Sequence, residues 1–480
     1  MGARERWLEV VRHWQTNPDS PGSDGYWAPE LELASRTKMA EIQSDKIAAA
    51  FSYLFEESSF YRRKFEEAKL EPSDVRSVDD LWKVPITRKE EWVQDVKQNP
   101  PWGTFSPLKQ SEWTRRGFMM FASSGTFGEP RAFRHTVHDR DLWAWMWARS
   151  LWAQGVRPGD ILINCFGYGP FTAFWGAHYA MNLIGCPVIP GGGVPTERRA
   201  AFITTYAPTV LICTPSYALF LAATMRQVGT DPADSSIQRV IVAGEPGACV
   251  PATKRRIEEA WGATVMDIFG GTEVAMAPLG YQCQADAERQ SAPYSPHVME
   301  DCFVVEVVSA DRGELVTPGE TGLSVVSNLF SEAQPILRYE MADLVAVDTS
   351  PCPCGRTQHK AAGGILGRLD DLIKVRGVAV RPSVFEAAIR TLPEAGDEFE
   401  VVVERDEDGL DRLLVRVEPK PGQEASAEQL RERVLTAVRR DIGLSAVCEV
   451  LPPGTLVRPE MKARRLHDRR PKPAAGGAPG

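Results

Sequence analysis

Apolar positions over the first hundred residues recur at helical spacing. In RTKMAEIQSDKIAAAFSYLFEESSFYRRKFEEAKL (36–70) they return every three to four residues between charges, which predicts amphipathic helices. The following EPSDVRSVDDLWKVPITRKEEW interrupts the pattern with prolines and residues suited to capping. From Asp160 the pattern changes. Four short apolar runs, DILINCF, PVIPGG, PTVLICTPS and RVIVAGEP, end in glycine or proline turns. Helical stretches such as ALFLAATMRQV and PATKRRIEEAWG separate the later ones. Strand–helix alternation of this kind predicts a mainly parallel sheet covered by helices. Ligands bind such sheets where strand ends meet loops.

Between Cys302 and Val347 strand patterning dominates, in CFVVEVV, GLSVVSNL and ADLVAV, with SADRGELVTPGE as a hairpin connection. This predicts an antiparallel subdomain. After GRLDD the chain alternates again, with EFEVVVERDEDGLDRLLVRVEP as a hairpin and SAEQLRERVLTAVRRDIG as an amphipathic helix. The expected fold class is α/β. A large N-terminal domain over 1–369, with a helical lead-in over 1–110, carries mainly parallel sheets and a small β subdomain. A small mobile α+β domain covers 370–470. The last ten residues, PKPAAGGAPG (471–480), have the composition of a disordered tail.

Composition narrows the class without naming a reaction. The 480 residues suit about three domains, and 43% apolar with 25% charged residues is the profile of an ordinary globular protein. A net charge of −9, with both signs mixed along the chain, argues against a nucleic-acid partner. The basic cluster KARRLHDRR (462–470) reads, from charge alone, as a solvated terminal segment. No apolar run reaches the roughly 20 residues of a membrane span, the N-terminus lacks a signal-peptide core, and Arg6 departs from the myristoylation pattern. A cytoplasmic protein with no membrane partner is expected. Nine cysteines, an odd number, favour thiols or metal ligands over disulfides.

Candidate chemistry begins at FASSGTFGEP (121–130). Gly125 and Gly128 permit backbone angles that turn N–H groups toward an anion, and Ser123, Ser124 and Thr126 add hydroxyl donors. Neither spacing nor lysine fits the GxxxxGK[ST] nucleotide loop. A plain Ser/Gly hairpin is the competing reading. Companion motifs follow in order: AGEPG (243–247) and IFGGTEV (268–274) after apolar strands, LRYEMADL (337–344), GRLDDLIKVRG (367–377) and RPEMKARRLHD (458–468). With these motifs, and with the block Gly167–Leu219, the sequence resembles the adenylate-forming (ANL) superfamily, and within it the phenylacetate–coenzyme A ligase-like branch.

The resemblance implies an ATP-dependent activation of an aryl or arylacetic acid to an acyl-adenylate, followed by transfer to coenzyme A. It implies that Ser123, Ser124, Gly125, Thr126 and Gly128 hold the outer phosphates and Thr272 the α-phosphate, with Glu273 placing Mg²⁺. Gly244, Glu245 and Pro246 would line the adenine, with Phe269, Gly270 and Gly271 beside the nucleotide. Asp343 would bind the ribose and Arg368 the ribose–phosphate region. Lys462 would bridge carboxylate and phosphate during adenylation. Asp370 would be the hinge, with Lys374 and Gly377 on the coenzyme A face. Each has a plainer reading too: Asp343 as a turn acid, Glu273 as a helix N-terminal carboxylate, Arg368 as a surface ion-pair former, Asp370 as a loop acid.

The acid pocket is expected around Phe166, Tyr168, Phe171 and Ala173, since aromatics suit a planar ring; core packing is the alternative. The tryptophans of RDLWAWMWARSLW read as helix packing. Cys352 and Cys354, with Cys283 and His297, offer three thiolates and an imidazole, a closed tetrahedral set for a structural Zn²⁺. Related ligases carry Cys and His at comparable places before Glu300 and Asp301. Free thiols are the alternative, and His359 is a substitute ligand. The branch implies a homodimer.

Departures from the family pattern bear on ATP affinity and rate. Phe127 and Glu129 replace a threonine and a lysine of the phosphate loop, and Arg131 is the nearest substitute cation. EMAD stands for Arg-Thr-Gly-Asp, and Met461 for the glycine before Lys462. Two other readings follow: transfer of the acyl group to an amine, a carrier protein or nitrite, and a non-catalytic nucleotide-binding scaffold.

Overall fold

A computed structural model describes residues 2–122, 131–169, 173–275, 277–311, 313–369, 371, 373–376, 378–405, 410–423, 426–457 and 465–470. The lead-in is helical as its periodicity requires. Helix Arg36–Glu57 is capped by the Ser35 hydroxyl, which accepts from the Lys38 N–H at 3.2 Å, and it buries Met39, Ile42, Ile47, Phe51 and Leu54. Ser58 then ends this helix and caps the next, Ser59–Glu67, by accepting from the Tyr61 N–H.

Strands Leu162–Asn164, Val188–Pro190, Val210–Cys213, Arg239–Val242 and Thr264–Phe269 form the expected parallel sheet. Val210, Leu211, Ile212 and Cys213 are all buried, because helices cover both faces. The antiparallel strands Phe303–Val308, Thr321–Asn328 and Ile336–Asp348 also form as expected. They are not a detached layer. Short strands Gly280–Tyr281, His297–Val298 and Lys360–Ala361 hydrogen-bond them to Thr264–Phe269, giving one 12-stranded sheet. Each linker is two residues long, too short to leave a period in the sequence.

The tryptophan-rich run is helix Val137–Ala153, in which Trp143, Trp145, Trp147 and Trp152 are buried in the main core. Arg149 in this helix meets Asp301 through two bonds of 2.7 and 2.8 Å, both side chains fully buried. Glu32 of the lead-in joins the same group through Arg149 Nε at 3.8 Å and also pairs with Arg356 at 2.7 Å.

The C-terminal part has its own core and four-stranded sheet, in the order Val447–Val450, Asp411–Pro419, Ala395–Arg405, Leu466–Asp468, with helices Pro382–Arg390 and Ala427–Ile442. Here the charge-only reading of KARRLHDRR is corrected. Leu466–Asp468 pairs in parallel with Val401–Val403, and Arg465 is buried against the Phe399 ring with a 2.9 Å bond to Glu398. Pairing to a core strand outweighs the run of charge. No helix among the described residues is long and apolar enough to cross a membrane.

Candidate active site

The SSGTFGEP segment joins two antiparallel strands, Gly117–Ala122 and Ala132–Thr136, with Ala122 opposite Ala132. Ser123, Ser124, Gly125, Thr126 and Gly128 lie outside the described residues, as do Phe171, Asp370, Gly377 and Lys462. Arg131, at the described end of the loop, is buried and spans two other motifs. It pairs through Nη2 with Glu273 and donates through Nη1 to the Tyr339 hydroxyl at 3.2 Å. Burial pulls Arg131 down, but the Glu273 carboxylate and Tyr339 outweigh it and the guanidinium stays charged. Arg131, the substitute cation expected for position 129, is thus engaged by Glu273.

Thr272–Val274 is a single helical turn after strand Thr264–Phe269, which puts Thr272 and Glu273 at its start. Gln334 fixes it by donating to the Glu273 carbonyl at 3.2 Å. Gly270 is confined: a Cβ there would lie 2.7 Å from the Ala277 carbonyl oxygen. One at Gly271 would meet the Met341 methyl at 2.5 Å. Phe269 turns its ring across Gly280, into a cavity of about 60 Å³ shared with Leu279, Val305 and Val345.

Tyr339, Met341 and Asp343 follow at alternate positions along strand Ile336–Asp348. Asp343 is buried and stands opposite Arg368 in register, with Arg368 Nη1 donating to its carboxylate at 3.0 Å. The ion-pair reading of Arg368 and the nucleotide reading of Asp343 therefore meet in one pair. Gly244 has φ +90°, a left-handed angle that suits glycine at the turn of AGEPG. Glu245 accepts from the Ser216 N–H at 2.9 Å and from its hydroxyl, at the start of helix Pro215–Gln227. Pro246 follows in the same turn. Just beyond it, Cys249 packs on the 363–364 turn, where a Cβ at Gly364 would sit 3.0 Å from Cys249 Sγ. Two contacts thus lie along strand Ile336–Asp348, Arg131 and Glu273 at Tyr339 and Arg368 at Asp343, while the AGEPG turn is held by Ser216.

Sequence reasoning missed Tyr339, Gln334 and Ser216. Tyr339 left one signal, its even spacing from Asp343 on the same strand. The other two contact the motifs from distant positions.

In the expected acid pocket, the Tyr168 hydroxyl lies 3.3 Å from His178 Nδ1 and its ring meets Trp175 edge-on at 4.9 Å. Tyr179 stacks with Trp175 and meets Phe118 edge-on at 5.6 Å. The Phe166 N–H donates to the Asn164 side chain at 3.0 Å. Ala173 opens helix Ala173–Ile184, which presents His178 and Tyr179. Burial raises the Tyr168 phenol and lowers the His178 imidazole. Lys374 lies exposed on the strand Ile373–Val375 of the C-terminal part.

Cys283, His297, Cys352 and Cys354 come together, with all four donor atoms within 4.8 Å of one another. The sulfurs of Cys283 and Cys352 are 3.7 Å apart, and Cys354 Sγ is 3.3 Å from His297 Nε2. Zinc–sulfur bonds of about 2.3 Å at tetrahedral angles put two sulfurs roughly 3.8 Å apart, so this donor set fits the ion. The Cys354 thiol is held far below its ordinary range by bonds to the other two sulfurs. Burial disfavours charge on His297, yet the sulfurs of Cys352 and Cys354 raise it to about 9. His359 stands outside the cluster, with Nδ1 3.2 Å from Glu300.

A large mixed sheet with helices on its faces, joined to a small α+β C-terminal part, is the fold of adenylating enzymes. The model of the AMP-binding enzyme matches residues 53–328, and that of the AMP-binding enzyme C-terminal domain matches 377–470. The chain belongs to this family of AMP-binding enzymes and is an AMP-forming ligase. It is 35% identical over 461 residues to the phenylacetate-coenzyme A ligase of Thermus thermophilus, covering 92% of this chain and 99% of that one. It is 33% identical over 446 residues to the phenylacetate-coenzyme A ligase of Escherichia coli, covering 92% and 97%. Among solved structures it resembles 2-hydroxyisobutyryl-CoA ligase in its postadenylation state with 2-HIB-AMP, at TM-score 0.88 and 29% identity over 97% of this chain and 96% of that one. The same enzyme in its thioesterification state, with 2-HIB-AMP and CoA, matches at TM-score 0.69 and 30% identity over 94% of each chain.

Proposed function

We propose that this enzyme activates an aryl or arylacetic acid with ATP and passes the acyl group to coenzyme A. In the first half-reaction a carboxylate oxygen attacks the α-phosphorus, the bond to the pyrophosphate leaving group breaks, and an acyl-adenylate forms. In the second, the coenzyme A sulfur attacks the acyl carbon, AMP leaves, and the thiol proton passes to solvent. The observation that carries this reading is two contacts along one strand, Arg131 and Glu273 at Tyr339 and Arg368 at Asp343, made by residues of three sequence motifs and by Arg131 just after the glycine-rich loop.

Each group has a task the chemistry demands. Asp343 accepts from the ribose hydroxyls, while Arg368 balances its charge and faces the phosphate side. Arg131 and the 123–128 segment address the outer phosphates, where charge grows as pyrophosphate departs. Thr272 donates to the α-phosphate. Mg²⁺ held by Glu273 and phosphate oxygens would neutralise that charge. Because Glu273 already pairs with Arg131, its carboxylate is oriented before nucleotide arrives. Lys462 supplies the cation between carboxylate and α-phosphate, and Asp370 the pivot. The aromatic group around Tyr168, Trp175 and Tyr179 supports a planar acid. The names of the curated relatives point the same way.

The test is pyrophosphate release from ATP and Mg²⁺ with a panel of phenylacetate, hydroxybenzoates and 2-hydroxyisobutyrate, with and without coenzyme A. Multiple turnovers that need coenzyme A, with one thioester and one AMP per pyrophosphate, are expected for an aromatic acid. Adenylate that accumulates despite coenzyme A would move the acceptor to another nucleophile. Silence with every acid would overturn the reading.

A further inference from the structure

Helix Pro251–Trp261 of the N-terminal part carries Arg256, whose guanidinium reaches into the C-terminal part. It is nearly buried, at 11% side-chain exposure. Nε donates to the Arg390 carbonyl at 2.9 Å, and Nη2 to the Leu392 and Ala395 carbonyls at 2.9 and 3.2 Å. Nη1 donates to the Gly396 carbonyl at 3.1 Å and to Asp397 Oδ1 at 3.2 Å. An arginine has five N–H donors, and here there are five acceptors.

The acceptors explain the attraction. Helix Pro382–Arg390 ends there, and the last carbonyls of a helix have no partner within it and carry its negative dipole end. Arg256 caps that helix from across the domain boundary. A second contact lies one turn away along both helices, where the Thr253 hydroxyl donates to Glu386 at 3.1 Å. Arg381, by contrast, bonds the Leu366 carbonyl at 2.9 Å close to the boundary in sequence. Arg256 holds the far side of the mobile part, across 134 to 141 residues of chain.

The contact is also built to release. Four of the five acceptors are neutral carbonyls between the end of helix Pro382–Arg390 and the start of strand Ala395–Arg405, and the fifth, Asp397, is 40% exposed. Water can replace the guanidinium at each, so little is lost on parting. The fully buried Arg149–Asp301 pair has no such route. Resting on the ligase reading above, we propose that Arg256 is a latch. It holds the C-terminal domain in the arrangement that makes the adenylate, and it lets go before the thioester is formed. The two states of 2-hydroxyisobutyryl-CoA ligase match this chain differently, and the better match is the postadenylation one.

The test uses the full chain as wild type, Arg256→Ala and Arg256→Lys. Acid-dependent ATP–pyrophosphate exchange reads the first half-reaction, and thioester formation from supplied phenylacetyl-adenylate reads the second. Distances between probes at the exposed Val228 and Lys420, attached through non-canonical amino acids to spare the thiols, read the arrangement directly. In Arg256→Ala the exchange rate is expected to fall tenfold or more while the second half-reaction keeps or gains rate. A longer-distance population should rise at least tenfold, with Arg256→Lys between the two. Unchanged distances in Arg256→Ala would overturn the latch, and so would equal loss of both half-reactions with a lowered melting temperature. If the wild type performs neither half-reaction, the ligase reading fails, and the distances still decide the latch.

Discussion

Two buried aspartates show how one neighbour decides the behaviour of a carboxyl. Asp301 is held at about 2: burial works against its charge, but Arg149 and then Lys46 outweigh that cost. Asp267 has no such cation in contact among the described residues, and burial raises it to about 7, past the help of the Cys249 thiol, the backbone and the more distant Lys254. The signs for stability are opposite. Asp301 contributes above its unfolded value of 3.8, and the contribution is lost as pH falls through about 2. Asp267 contributes below 3.8, and the contribution drains away as pH rises, being gone above about 7. Asp267→Asn is therefore expected to lose this decline. Its unfolding free energy relative to wild type should climb between pH 5 and pH 8, at a slope near 1.4 kcal/mol per pH unit up to about pH 7, and its melting temperature with it. Parallel melting curves across that range would show that Asp267 is ionised in the folded state.

At the scale of elements, the turn Gly270–Gly271 separates two kinds of tight contact. At Gly270 a methyl meets backbone, the Ala277 carbonyl, which cannot move without shifting the strand that follows. At Gly271 it meets the far end of Met341, which can swing aside. Gly270→Ala should cost about 1–3 kcal/mol and raise the KM for ATP severalfold, because Thr272 and Glu273 ride on that turn. Gly271→Ala should do clearly less. Urea melts and ATP titrations of both variants check the order, and equal effects would refute it. This turn was legible in the sequence, as were the long helices, the parallel strands and the hairpin 398–419, whose first strand begins three residues earlier in the structure. Three linking strands of two residues were not legible, so the continuity of the sheet was invisible. Nor was the bond from Arg131 to Glu273, across 142 residues, although each residue stood out by itself. Arg256 left no trace at all, since an arginine on the polar side of an amphipathic helix reads as solvated. Arg465 misled for the same reason: charge predicted exposure where a Glu398 partner permitted burial.

Across the whole molecule, the cysteine–histidine cluster sits where the parallel strands pass into the antiparallel ones. His297 is on a strand paired with Tyr281 on one side and Lys360 on the other, and Cys283 and the 352–354 turn close over it. Those linking strands have few ladder bonds of their own, so something else must hold the seam between the two halves. A zinc ion bound by all four side chains would do so, with no coordination position left for a substrate. The role is then structural, and it can be told apart from a catalytic one. Protein grown with zinc should carry about one ion per chain by elemental analysis. Cys352→Ser should lower both the zinc content and the melting temperature, the latter by several degrees. Its pyrophosphate-exchange rate, measured well below that temperature, should stay near wild type. Loss of rate without loss of stability would make the metal catalytic, and a zinc-free wild-type chain would leave the seam to the thiols alone.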